Sequence, residues 1–369
     1  MGKTFSTGDM MPSFVDRTTM HLFYDKLYTT RRKRPPLKAL ILLTDLKVED
    51  LPMVLSRKKK LSRAYYAHVT RLGEELYRVS LQRTIGLREI KREVIIDAGC
   101  KGAWIVLTTA ESYFITHVLA RFFDKLYPMV SRLYLNYSQM QLLLKIIKES
   151  YGGKTTPTFF TIKRERQKPV EQRISRKKGT EILWDEDVDE EIDRLLSEGY
   201  IVRVDRLDFE VRDENDVMLL QAQMTRKSLC KLKFGSFSDF YRNVVLKAIG
   251  FGLDCKIFFD KRERSIKKGI IRLHPLQIEY PVSFHKEQLS RFANRISNAY
   301  SCSIIHEGNP YFVADLCDYE DGSSFGVVIL SNVVTVTPIT RATPQAVWSL
   351  LNKIQEILGD GEIIDVKMR

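Results

Sequence analysis

The chain has 369 residues and a mass of 42.9 kDa, with 44% hydrophobic and 10% aromatic residues. That content excludes a collagen-like or wholly disordered chain, and the length calls for two or three domains. Lys and Arg outnumber Asp and Glu by 59 to 46, a net charge of +13, which points to a phosphate-bearing or otherwise acidic partner.

The charge is concentrated. Residues 29–63, 154–178 and 256–272 carry +8, +7 and +5, so the rest of the chain is net −7. The five cysteines, Cys100, Cys230, Cys255, Cys302 and Cys317, contain no CxxC pair, so zinc-ribbon and thioredoxin-like chemistry lacks its spacing. An odd, sparse set fits a reducing interior. No apolar run approaches the ~18 residues of a membrane span, and the N-terminus lacks a secretory apolar core. The expectation is a cytoplasmic protein with no membrane attachment.

Residues 1–36 read as an irregular basic N-terminal segment, broken by Met10-Met11-Pro12 and Arg34-Pro35-Pro36. Residues 37–153 read as an N-terminal α+β domain. After an apolar run and a short helix near Leu51-Pro52, Tyr66–Leu72 and Glu75–Gln82 alternate as a hairpin. Glu93–Ala98 and Ala103–Thr108 follow as strands. Glu111–Tyr127 has helical spacing with Thr109 as the expected N-cap, and Ser138–Ser150 is a helix closed by Gly152-Gly153.

Residues 154–179 read as a basic linker, and 180–260 as a middle α+β domain. Thr180–Trp184 is a candidate strand and Val188–Leu196 a short helix. Tyr200–Val211, Val217–Met224 and Ser228–Phe234 form a meander that turns at 213–216. Ser236 caps a helix over Phe237–Ile249. Residues 261–369 read as a C-terminal α+β domain. Leu273–Phe284 is extended, His285–Asn298 helical, four strands run from Cys302 to Pro338, and Thr340 or Thr343 caps Pro344–Leu358. Strands, a capping Ser or Thr, and a helix bearing Phe or Trp thus recur three times. The fold class is α+β, two or three units of antiparallel sheet packed with helices and joined by basic linkers.

The order of the last unit resembles, in topology only, one repeat of the TATA-box-binding-protein-like fold. The resemblance covers about 273–358 and more weakly 180–250. It implies a curved sheet with helices on one face and nucleic acid on the other. A helix-grip module cradling a small apolar ligand is the alternative for this unit. Phe325-Gly326-Val327-Val328 faintly echoes an RRM strand.

Three basic clusters can neutralise phosphates by counterion release. The candidate contacts are Arg31, Arg32, Lys33, Arg34, Lys58, Lys59, Lys60, Lys163, Arg164, Arg166, Arg176, Lys177 and Lys178. Aromatics such as Tyr65, Tyr66, Phe159 and Phe160 lie close by, suited to stacking on bases. Asp97 and the acidic run 185–193 are candidate carboxylates for a metal-dependent nuclease, but no Glu-x-Lys follows Asp97. None of the six histidines sits in HExxH or beside GxSxG, and GGKTT at 152–156 lacks the first glycine and the strand of a P-loop. No cofactor, metal or catalytic residue is expected. The reading is a non-catalytic DNA- or RNA-binding factor or subunit of a nucleoprotein assembly. The alternatives are an adaptor docking on an acidic protein, and an unrecognised nuclease.

Overall fold

Helix α1 (Arg17–Tyr28) stands where the prolines suggest an irregular segment. Asp16 accepts the Thr19 N–H at 2.7 Å, and the Asp16 N–H donates to Thr19 Oγ1 at 3.2 Å, a capping box. Met20, Tyr24 and Tyr28 recur every fourth residue and are buried, a stripe hidden in sequence between charged neighbours and flanking prolines. The structure is a computed structural model that describes residues 14, 16–30, 34–58, 64–85, 88–151, 154–166, 179–183, 194, 200–260, 265–267, 270–272, 275–308, 311–339 and 342–365.

Three units follow, each running strand, helix, meander, helix. The first contains β1 (Leu37–Thr44), α2 (Leu51–Arg57), β2 (Tyr65–Gly73), β3 (Leu76–Ile85), β4 (Arg88–Asp97), β5 (Ala103–Thr108) and helix α3 over 112–124. A π-turn at Ile115–Leu119 interrupts α3, whose cap position is Glu111, so Thr109 is not the N-cap. The second contains β6 (Val130–Arg132), α4 (Tyr137–Tyr151), β7 (Lys154–Arg166), β8 (Gly179–Leu183), β9 (Tyr200–Arg212), β10 (Met218–Thr225), β11 (Leu229–Gly235) and helix α5 over 237–260. Ser236 caps α5 by accepting the Asp239 N–H at 3.1 Å. The helix continues through Gly250 to Asp260, because packing of its apolar face outweighs the modest helix penalty of glycine.

A ribbon of β12 (Ser265–Lys267) and β13 (Ile270–Arg272) precedes the third unit. This unit contains β14 (Leu276–Glu279), α6 (Lys286–Ser297), β15 (Ser301–Glu307), β16 (Tyr311–Cys317), β17 (Ser324–Leu330), β18 (Val333–Pro338), α7 (Pro344–Leu358) and β19 (Glu362–Asp365). Thr343 is the cap of α7, accepting the Ala346 N–H at 3.2 Å. The helix expected over Val188–Leu196 lies outside the described residues except for Arg194.

The first two units share one antiparallel sheet of eleven strands, ordered β2-β3-β4-β5-β1-β11-β10-β9-β7-β8 with β6 beside β1. The boundary expected between residues 153 and 180 therefore does not separate two sheets. The segment expected as a basic linker is strand β7 over Lys154–Arg166, paired with β9 along its length. Its Thr, Phe and Ile residues favour a strand, and the surrounding charge obscures them in sequence.

Strand β1 joins the two units. Leu37–Leu40 pairs with β11, and Leu42–Thr44 pairs with β6 on the same edge, while the other edge pairs with β5. Every residue of β1 is buried. Leu37, Ala39, Ile41 and Leu43 face a core with α1, α4 and α5, while Leu40 and Leu42 face a second core with α2 and α3. The helices of the first two units thus cover opposite faces of the shared sheet. In the third unit, α6 and α7 pack on the same face of β14–β18.

Two ion pairs, each with one fully buried member, fix this arrangement. Arg226, in the β10–β11 turn, is fully buried. It donates to Asp360 Oδ2 at 2.7 Å and the Val204 carbonyl at 3.3 Å, and its Nε meets the Tyr134 hydroxyl, so the third unit is tied to the second. Asp97, at the end of β4, is also fully buried. It accepts from Arg17 at 2.8 and 2.5 Å, the Tyr241 hydroxyl at 2.7 Å and the Gly99 N–H at 2.9 Å. A Cβ on Gly99 would lie 1.8 Å from Arg17 Nη2, so only glycine lets Arg17 cross to the carboxylate. Asp97→Ala is expected to lower the unfolding free energy by about 3 kcal/mol, measured by urea denaturation, because it leaves Arg17 and Tyr241 without their acceptor.

Candidate nucleic-acid interface

Strands β9, β10 and β11 turn their apolar residues toward α4 and α5, burying Phe209, Val211, Leu220, Ala222, Met224, Cys230 and Leu232. Strand periodicity sends the intervening residues to the other face. The cross-strand register there aligns Lys38 with Lys231, Lys231 with Gln223, and Gln223 with Asp208. Lys233 is the extra residue at the bulge between Gln221 and Ala222, and Arg206 opposes Thr225. The helices with the main contacts to β9 and β11 are α1, α4 and α5, all packed in the core on the apolar face.

Asp208 organises this patch. Its carboxylate accepts from Arg206 at 2.7 Å on each oxygen and from Lys233 at 2.6 Å. Burial pushes the Asp208 carboxyl up, but the hydrogen bonds and charges of Arg206 and Lys233 outweigh it and hold it below the usual carboxylate range. Alongside, Glu210 accepts from Gln221 and from Arg212, both at 2.9 Å. Counting Asp216, which accepts from Arg212 at 3.4 Å, and Glu111, whose charge reaches Lys38, four carboxylates among the described residues face five cations: Lys38, Arg206, Arg212, Lys231 and Lys233.

The two opposed lysines are the unbalanced part. Burial lowers the Lys38 pKa, and the charge of Lys231 lowers it further. Burial lowers the Lys231 pKa as well, followed by repulsion from Arg206. Like charges directly opposed across strands are destabilising, and an anion placed between them relieves the repulsion. Lys38 is itself buried, and its ammonium donates to the Ala110 carbonyl just before α3, so it acts on the patch as a fixed charge beside Lys231.

The candidates from sequence are only partly placed. Arg31, Arg32, Lys33, Lys59, Lys60, Arg176, Lys177 and Lys178 lie outside the described residues. Arg34 is exposed just before β1, four residues from Lys38. Lys163, Arg164 and Arg166 lie on β7, opposite Arg203, Val202 and Tyr200 of β9, so they extend the same sheet. Lys58 is already engaged. Its ammonium donates to the carbonyls of Lys125 at 2.8 Å and Tyr127 at 3.0 Å, just past the end of α3. A cation there satisfies carbonyls that the helix leaves unpaired, so Lys58 has a structural post instead of a free charge.

Sequence reading missed Lys38, Arg206, Lys231 and Lys233, because it weighed runs of adjacent charges. On a strand, a charged face appears as every second residue, and Lys231-Leu232-Lys233 carried that signal. Of the nuclease candidates only Asp97 is among the described residues. All three donors to Asp97 are the chain's own groups, and 185–193 lies outside the described residues. Among the described residues no group of three or more His, Cys, Asp or Glu is placed to hold a metal ion, and no helix is long and apolar enough to cross a membrane. No protein-family model matches the chain, and no curated protein matches it in sequence.

Two outcomes follow from these contacts. Lys58→Met is expected to lower stability by about 1 kcal/mol in urea denaturation while leaving the affinity for an oligonucleotide unchanged. The Asp208 carboxylate has a lowered pKa in the folded state, so its contribution is complete above the unfolded value near ~4 and is lost as pH falls through the folded value. Asp208→Asn should therefore be less stable than the parent chain at neutral pH, and the difference should shrink below about pH 4 in acid titrations of the unfolding midpoint.

Proposed function

We propose that this protein is a non-catalytic nucleic-acid-binding factor, or a subunit of a nucleoprotein assembly, that holds phosphates on the polar face of β9–β11 and β1. The observation that carries the reading is the direct opposition of Lys38 and Lys231, with Lys233 and Arg206 beside them and fewer carboxylates than cations. Phosphates satisfy such a face by charge neutralisation and counterion release. On this reading Arg31, Arg32, Lys33, Arg34, Lys163, Arg164, Arg166, Arg176, Lys177 and Lys178 supply further contacts along the strand path.

The third unit has a different part in this proposal. Residues 275–365 carry 5 basic and 11 acidic side chains, so the unit repels phosphate. The sheet face opposite α6 and α7 exposes Tyr311, Val328 and Leu330, with Asp315 next along the strand opposite Gly326, which favours protein contact over nucleic acid there. Phosphate binding therefore belongs to the first two units.

Gel shift and fluorescence anisotropy with labelled single- and double-stranded oligonucleotides test the proposal. The full chain should bind at low salt and weaken by orders of magnitude as salt rises from ~50 to ~200 mM. The double variant Lys231→Ala/Lys233→Ala should weaken binding at least about tenfold and flatten the salt slope by about 2. Absence of binding at low salt, or unchanged affinity in the double variant, overturns it. Capture of one stoichiometric acidic protein without nucleic acid would move the same surface to an adaptor role.

A further inference from the structure

A cavity of about 400 Å³ opens beside Asp97, on the side of the shared sheet that carries α1 and α5. Arg17 and His21, one turn apart on α1, form one wall. Ser238, Tyr241, Arg242 and Leu246 on α5 form another, and Gly99 and Cys100 after β4 close it. Among the described residues no carboxylate lines this space. Asp97 lies beneath it, fully buried and held by Arg17, Tyr241 and Gly99. Asp25 accepts from the Ser236 hydroxyl at 3.0 Å, the Ser238 N–H at 2.9 Å and the Ser238 hydroxyl at 2.5 Å, and so is engaged outside the lining.

Uncommitted donors face the cavity. The Arg17 guanidinium has five N–H groups, and its contacts to Asp97 engage only Nε and Nη2. Arg242 is exposed and has no hydrogen bond or salt bridge among the described residues. His21 Nδ1 meets the Ser238 hydroxyl at 3.1 Å; that hydroxyl donates its own hydrogen to Asp25, so Nδ1–H is the donor and Nε2 is an acceptor that takes no part in binding an anion. Two guanidinium groups in a lining with no acid among the described residues are a feature that an anionic ligand satisfies.

We propose that this cavity binds a small phosphate, with Arg242 and the free N–H groups of Arg17 donating to its oxygens. Asp97 serves as the positioning residue for Arg17, fixing the guanidinium plane across Gly99. The site is separate from the lysine patch, and it stands whether or not that patch binds nucleic acid.

The test is isothermal titration of the full chain with inorganic phosphate at constant ionic strength, paired with thermal unfolding. Phosphate should bind saturably and raise the unfolding midpoint with concentration. Arg242→Ala, at an exposed position, should leave the unliganded midpoint unchanged and weaken phosphate at least about tenfold. Lys231→Ala/Lys233→Ala should bind phosphate like the parent chain, which distinguishes this site from the proposed nucleic-acid surface. Absence of saturable binding, or parent-like binding by Arg242→Ala, overturns the assignment. Competition between phosphate and a 5′-phosphorylated oligonucleotide, lost in Arg242→Ala, would place a strand end in the cavity, while its absence would assign a free phosphate compound.

Discussion

Burial of β1 on both faces is the constraint on which the architecture depends. A strand with one apolar face can sit at a sheet margin, but LKALILLT has almost no polar side to offer water. It must lie in the middle of a sheet with helices above and below. The first unit supplies α2 and α3 on one side, and the second supplies α4 and α5 on the other. The outer edges of β1 then pair with β5 and β11, which welds two similar units into one sheet. The short β6 belongs to the same solution, since β11 already occupies the other half of that edge.

This opposed layering also decides where polar chemistry can sit. Because α4 and α5 lie opposite α2 and α3, the strands β9–β11 turn their polar residues to the other face, where Lys233 is exposed while Lys38, Asp208 and Gln223 are buried. Lys38 comes from β1 and Lys231 from β11, so the like-charge pair exists only because the two units share an edge. The pair at the buried Asp97 likewise spans elements far apart in sequence, joining α1, β4 and α5. Burying its carboxylate carries a desolvation penalty, and what the pair contributes here is registry between layers. Arg226 has the corresponding role toward the third unit, where its buried guanidinium reaches Asp360 beyond α7.

Legibility followed the range of the interactions. The β2–β3 hairpin, the β9–β11 meander, the four strands from β15 to β18 and the Ser236 and Thr343 caps depend on neighbours within a few residues, and their patterns were plain. Helix α1 was obscured because its buried stripe of Met20, Tyr24 and Tyr28 is separated by polar residues and framed by prolines. Strand β7 was obscured because its Lys and Arg residues resemble those of a linker. The lysine patch was hardest to read, since its members are 193 positions apart at Lys38 and Lys231.

The sequence by itself determined the α+β class, the thrice-repeated order of strands and helices, and the concentration of positive charge outside the last unit. These follow from periodicity, capping chemistry and composition, all of which act locally along the chain. Only the tertiary structure decided that two units share a sheet, that their helices take opposite faces, and which cations meet. The net +13 that the composition displays became a specific surface only when β1 placed Lys38 against Lys231, since cross-strand register is set by packing between distant segments.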